Sequence, residues 1–276
     1  MVKPKIACYI TGGWTECGYM TKFLEKINDR YDYRQRFPQK NIGKKGKARK
    51  DYKVAGTTGA ALIREACGDM RRHSEVLREY SGILIEDDLD DQYFLQDGTG
   101  RDYEKIEARK AEITAQFRSL LKKEDMPVIF LYALPEIEAW FCADWENTFG
   151  AEYGGKLSEM NAYFSITFKK YVDQYVLTER FSGVNIENYG FFNGQYKKMS
   201  DELIGAFQEY SCQSEKFKNN ELFNKKINGL ISKNELRYSK REEGINMLRR
   251  LCPETVVSSC GHCFAGACNA LRDLHI

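Results

Sequence analysis

The sequence predicts an α/β protein with a mainly parallel sheet flanked by helices and a mainly helical C-terminal half. Three observations carry this. Apolar runs at Lys5–Ile10, Gly82–Ile85 and Pro127–Tyr132 have strand length and lack the alternation of a half-exposed strand. Segments with apolar residues at helical spacing separate them. After Gly150 that strand-helix alternation stops.

Each element follows from its residues. Lys5–Ile10 reads as the first strand, and Thr11-Gly12-Gly13-Trp14 as a turn into a helix from about Thr15 to Asn28 with Met20, Phe23, Leu24 and Ile27 on one face. Tyr31–Phe37 alternates aromatic and polar residues and ends at Pro38, as a second strand does. Lys40–Lys53 is basic and glycine-rich and is expected to be an exposed loop. Leu62, Ile63, Ala66, Met70, Leu77 and Tyr80 mark a helix starting near Thr58, and Gly82–Ile85 a buried strand. Gly98 and Gly100 mark a loop, and a charged helix is expected from Arg101 to about Lys123. The strand Pro127–Tyr132 then leads to a helix with Pro135 in its first turn.

The expected units are an α/β domain over 1–150 and a mainly helical extension packed on it over 151–276. In the extension, Leu157–Val176 and Ser200–Tyr210 have helical spacing, the stretch between them has no clear strand, and Glu242–Leu274 reads as two helices broken near Pro253.

Composition narrows the function classes. Nine cysteines, an odd number set mostly in apolar segments, argue for free thiols and a reducing compartment, so a cytoplasmic location is expected. No stretch approaches the ~20 apolar residues of a membrane span, so no membrane partner is expected. The 42 basic and 40 acidic residues nearly cancel, so the placement of charge matters more than the net +2. With three histidines and none paired with a cysteine near a candidate turn, acyl-transfer chemistry has no support. Cys260-Gly261-His262-Cys263 invites a zinc site, but its spacing does not repeat, and Phe264, Cys268 and Leu271 share one helical face, which favours buried thiols.

Charge is concentrated at Glu86-Asp87-Asp88-Leu89-Asp90-Asp91, at the carboxyl end of a buried strand, where open α/β sheets bind ligands. In an extended chain Asp88 and Asp90 point to the same side, roughly 6 to 7 Å apart, and can converge on one hard cation, Mg²⁺ or Mn²⁺. Asp91 and Glu86 are further candidate ligands. The alternative is an acidic surface loop running on to Asp97. Gly12, Gly13 and Thr15 form a turn whose helix N-terminus can face a phosphate, and Glu16 can reach a metal or act as a base. The alternative there is an ordinary strand-to-helix turn capped by Thr15. Glu136, Glu138 and Trp140 are candidate supports for the site. Lys44, Lys45, Lys47, Arg49 and Lys50 are candidates for neutralising DNA or RNA phosphates, against the alternative of a solvated loop.

Gly12-Gly13-Trp14-Thr15-Glu16, then Asp88-Leu89-Asp90-Asp91, then Pro135-Glu136-Ile137-Glu138-Ala139-Trp140 together resemble a TOPRIM-type domain. The chain is most similar to the RloB-like and OLD-like nucleases and to a related uncharacterised bacterial family with a proline-glutamate-x-glutamate-alanine-tryptophan signature. Tyr238-Ser239-Lys240, followed by Cys260-Gly261-His262-Cys263-Phe264, is similar to that family's last helical segment. The resemblance implies metal-dependent phosphodiester hydrolysis of DNA or RNA, with Asp88 and Asp90 holding the cation. It also implies an ABC- or AAA-type ATPase partner and a part in phage defence, and it allows a homo-oligomer. TOPRIM turns begin with a glutamate immediately before glycine, and Gly12 stands in that place. Glu16 or Glu86 therefore substitutes, or the site is degenerate and serves a regulatory or binding subunit. Phosphatases of the haloacid dehalogenase type also carry an aspartate-x-aspartate, but on their first strand, followed by threonine or valine.

Overall fold

The structure, a computed structural model, describes residues 2–42, 48–52, 56–152, 186–192, 195–203, 205, 206, 221, 225 and 240–274. Four parallel strands form the central sheet: β1 (Lys5–Ile10), β2 (Asp32–Phe37), β5 (Gly82–Asp88) and β6 (Val128–Ala133), in the order β2-β1-β5-β6. Between β2 and β5 lie β3 (Lys40–Ile42) and β4 (Ala48–Tyr52), paired antiparallel. The expected basic loop is thus built at both ends as a strand pair.

Both faces of the sheet are covered, which is why β1, β5 and β6 read as unbroken apolar runs, while the edge strand β2 alternates. On one face Ile6, Cys8 and Ile10 of β1 and Leu84 of β5 pack with α1 (Met20–Ile27), whose Met20, Phe23, Leu24 and Ile27 are all buried. On the other face Ala7, Tyr9, Ile83 and Ile85 pack with α2 (Gly59–Arg78) and α3 (Tyr103–Leu121). Each fully buried isoleucine there contributes about 1.5–3 kcal/mol.

The C-terminal helices complete the first face. Phe264, Cys268 and Leu271 of α7 (Cys263–Arg272) share a cluster with β1, α1 and Trp140, so the end of the chain forms part of the sheet's own core. Trp140, in α4 (Glu138–Ala143), stacks on Phe23 with centroids 5.9 Å apart and meets Phe264 edge-on at 4.9 Å.

Several boundaries differ from the sequence reading for identifiable reasons. The chain turns over residues 14–19 before α1 begins at Met20, so the expected helix start at Thr15 is not formed. Strand β5 runs three residues past Ile85, because Glu86, Asp87 and Asp88 keep their ladder with Leu131, Tyr132 and Ala133 of β6. Pro135 lies ahead of α4, outside its first turn. The tail forms three helices, α5 (Ile245–Arg250), α6 (Pro253–Ser259) and α7. The additional break arises where Glu187 accepts the backbone N–H groups of His262, Cys263 and Phe264 and starts α7 afresh. Short strands β7 (Phe191–Phe192) and β8 (Gln195–Tyr196) form a hairpin where no strand was expected. Residues 199–203, 205 and 206 are helical, as expected at that point; the expected helix at 157–176 lies outside the described residues.

Candidate metal centre

Strand order reverses between β1 and β5: the chain leaves β1 for β2 on one side and returns to β5 on the other. A crevice opens at the carboxyl ends of two such strands. Glu16 enters it from the turn after β1, and Glu86 and Asp88, two residues apart on β5, enter from one side of that strand. One carboxylate oxygen from each of Glu16, Glu86 and Asp88 lies within 4.8 Å of the others, and all three side chains are buried.

The fixed contacts leave oxygens over. Glu86 Oε2 accepts the Thr11 N–H at 3.0 Å, and Asp88 Oδ1 accepts the Ile137 N–H at 3.1 Å. Both oxygens of Glu16 and Oε1 of Glu86 are buried without a hydrogen bond among the described residues. Orphaned carboxylate oxygens in a protein interior are costly, and an oxygen-only donor set of this kind suits a hard divalent cation. The donor set fits a hard divalent cation without selecting one.

Gly13 makes the approach of Glu16 possible. A β-carbon on Gly13 would stand 2.1 Å from Glu16 Oε2, so any larger residue would push that carboxylate away.

Glu136, just ahead of α4, and Glu138, in its first turn, close the far side, and Lys240 reaches both, with Nζ 3.3 Å from Glu136 Oε2 and 3.2 Å from Glu138 Oε1. Ser200 donates to Glu136 Oε1 through its N–H at 2.9 Å and its hydroxyl at 3.1 Å. The backbone of Lys240 is fixed in turn, because the Thr15 hydroxyl donates to its carbonyl at 2.9 Å. Among the described residues the Lys240 ammonium thus pairs with two of the five buried carboxylates and acts at longer range on Glu16 and Asp88.

Protonation equilibria follow from that imbalance. Burial pushes Glu16 up to about 7, partly offset by Lys240. Burial, joined by repulsion from Glu16, also raises Glu86 and Asp88 well above the carboxylate range. Burial would raise Glu136 too, but Lys240 and the Ser200 hydrogen bonds outweigh it and hold it below its usual value. For Lys240 burial opposes the charge, yet Glu138, Asp88, Glu136 and Glu16 keep the ammonium above its ordinary range. Three protonatable acids stand where the cation would sit.

The other candidate residues fall elsewhere. Asp90 lies beyond the strand, at φ +43°, because its N–H donates to Pro135 O at 2.7 Å and turns the chain; its carboxylate faces Lys198 at 3.9 Å. The extended Asp88/Asp90 pairing is therefore corrected to Glu86/Asp88. Asp91 is exposed. Asp87 points to the opposite face, where it accepts the Thr11 hydroxyl at 3.0 Å and the Gly59 N–H at 2.8 Å. The turn at 12–16 does not form the expected helix N-terminus for a phosphate: the Gly12 N–H is directed to Thr57 O at 3.4 Å, and the Thr15 hydroxyl is taken by Lys240. Trp140 belongs to the core and not to the crevice. Lys44, Lys45 and Lys47 lie outside the described residues, and Arg49 and Lys50 are described only as backbone of β4. Cys260 and Cys268 sit in one hydrophobic cluster and Cys263 in the other, which suits buried thiols.

The role of Lys240 was missing from the sequence reading, and its only signal was the Tyr238-Ser239-Lys240 segment. No helix among the described residues is long and apolar enough to cross a membrane. No protein-family model, curated protein or solved structure matches the chain.

Proposed function

We propose that this chain is a metal-dependent phosphodiesterase acting on DNA or RNA, with Glu16, Glu86 and Asp88 holding Mg²⁺ or Mn²⁺. The observation that carries the reading is the convergence of these three buried carboxylates, with unbonded oxygens, at the sheet's switch point. A divalent cation bound there supplies Lewis-acid polarisation of a phosphoryl oxygen. Lys240 pairs with Glu136 and Glu138 and places a positive charge beside the ligands, where negative charge grows during phosphoryl transfer. Burial dries the crevice, which strengthens each of these interactions. Glu16 and Glu86 together occupy the role that the TOPRIM resemblance expects of a glutamate at position 12.

The test is cleavage of DNA and RNA in Mg²⁺ or Mn²⁺ by the wild type, Glu16→Gln and Asp88→Asn, alongside calorimetric Mn²⁺ binding. The reading expects cleavage by the wild type and at least a hundredfold loss in each variant. Mn²⁺ binding left unchanged by Asp88→Asn would remove the metal centre from this crevice. A second reading, a regulatory subunit that binds metal and does not cut, is favoured by Gly12 in place of glutamate. Mn²⁺ binding without cleavage, with or without an ATPase partner, would decide for it.

A further inference from the structure

The chain leaving β8 meets the acids of the crevice at every second residue. Lys198 Nζ lies 3.9 Å from Asp90 Oδ1, and Ser200 donates to Glu136 Oε1 through both its N–H and its hydroxyl. Tyr196 stands one step earlier in that run, close enough for Glu136, Asp90 and Asp88 to act electrostatically on its phenol. The ring is held in place from one edge. A β-carbon on Gly190 would stand 2.7 Å from Tyr196 Cε2, and Gly190 adopts φ +126°, so the ring packs directly on a backbone that only glycine supplies at low cost. Phe94 flanks the ring with centroids 6.4 Å apart, and the Arg101 guanidinium lies 3.7 Å over Phe94 while donating to the Asp90 carbonyl at 2.8 Å.

Part of Tyr196 is open to solvent, yet its hydroxyl oxygen is buried and has no hydrogen bond among the described residues. A buried hydroxyl without a partner carries its full desolvation cost, so its presence calls for an explanation. Burial, joined by Glu136, Asp90 and Asp88, pushes the phenol above its ordinary range, with Arg101 opposing in part. The group therefore stays an O–H donor at any working pH. The nearest acid is already served, since Ser200 donates to one oxygen of Glu136 and Lys240 to the other. Lys198 is half exposed and its pairing with Asp90 is long, so its ammonium is open to a stronger anion. A donor hydroxyl and an ammonium along one edge suit the charged oxygens of a phosphate.

We propose that the Tyr196 hydroxyl and the Lys198 ammonium form the phosphate-binding edge of the crevice, both contacting non-bridging oxygens of the phosphate that the cation polarises. The substrate class rests on the phosphodiesterase reading; the donor edge rests on the buried hydroxyl, the ring fixed on Gly190 and the placement of Lys198. Because the surrounding acids repel an anion until a cation is bound, phosphate binding at this edge depends on the metal.

The experiment titrates the full chain calorimetrically with inorganic phosphate, with and without saturating Mg²⁺, for the wild type, Tyr196→Phe and Lys198→Met. Tyr196→Phe keeps the ring and removes one oxygen. It is expected to weaken Mg²⁺-dependent phosphate binding about tenfold, to leave Mg²⁺ affinity at the wild-type value, and to melt without phosphate at the wild-type Tm or above. Lys198→Met is expected to weaken phosphate several-fold and to reduce the salt dependence of binding. A lower Tm for Tyr196→Phe would show that the hydroxyl already has a structural partner and would overturn the proposal. So would unchanged phosphate affinity in either variant, or phosphate binding equally tight without Mg²⁺. Mg²⁺-dependent phosphate binding that Tyr196→Phe weakens, in a protein that cleaves neither DNA nor RNA, would defeat the enzymatic reading and leave this one standing. Cleavage at the wild-type rate by Tyr196→Phe would do the reverse.

Discussion

The carboxylate of Glu16 occupies the space that a β-carbon on Gly13 would need, with Oε2 2.1 Å from that position. One residue's missing side chain is thus the seat of another's functional group, and the acidic crevice depends on both.

Gly13→Ala is therefore expected to rotate Glu16 out of the crevice and to weaken Mn²⁺ binding by at least tenfold. Metal-free stability should change little, because the displaced carboxylate escapes a dry site. Calorimetry on folded protein, with thermal melts as the control, checks this. Unchanged Mn²⁺ affinity in Gly13→Ala would show that Glu16 is not a ligand.

Metal-free protein should lose stability as pH rises through neutrality. Glu16 has its ordinary value of 4.5 when unfolded and about 7 when folded, so the folded state binds more protons between those values. That contribution is fully present below about pH 4.5 and is lost as pH rises through 7. Glu86, Asp88 and Asp87, all raised chiefly by burial, act in the same direction. Glu136 and Asp69, which are lowered, act oppositely but only at acid pH. Melts at pH 5.5 and 8 without metal should show the higher Tm at 5.5. Saturating Mn²⁺ should raise the Tm more at pH 8, since the cation displaces the protons.

Lys240→Met removes the ammonium that pairs with both Glu136 and Glu138. Lys240 is itself about a third exposed, so the loss should be smaller than for a fully buried pair, about 1–3 kcal/mol in urea unfolding. Adding Glu138→Gln should recover part of it. A double variant less stable than Lys240→Met alone would argue that Glu138 is held by something other than this ion pair.

Glu187→Ala should loosen α7, whose first N–H groups it caps at 2.9 to 3.2 Å. Losing these charge-assisted bonds is expected to cost about 1–3 kcal/mol and to raise amide exchange at Cys263 and Phe264 first. Exchange that rises uniformly along the chain would contradict a local capping role.

β1, β5, β6 and the body of α1 were legible because burial on both faces leaves an unbroken apolar signature and because Met20, Phe23, Leu24 and Ile27 keep strict helical spacing. The acidic strand end was legible as a concentration of charge. Which acids converge was not, since that depended on where β5 stops. The Leu89 and Asp90 N–H groups are captured by Ala133 and Pro135, so the strand ends at Asp88, two residues short of Asp90. Lys240 and Glu187 were obscured for a related reason: each meets its partners across a large sequence separation, and local periodicity carries no information about such pairs. The third tail helix went unseen because its start is set by Glu187, far upstream.

That separation has a consequence for how the molecule is made. Glu138 precedes Lys240 by 102 residues, and Glu16, Glu86, Asp88 and Glu136 come earlier still. At about 5–20 residues per second of synthesis, the emerging chain carries all five acids for roughly 5 to 20 s before Lys240 is made. During that interval the Lys240 ammonium is not available to Glu136 and Glu138, and the C-terminal helices that share the β1 and α1 core are still to come, so the crevice and that face of the sheet are completed together, late in synthesis.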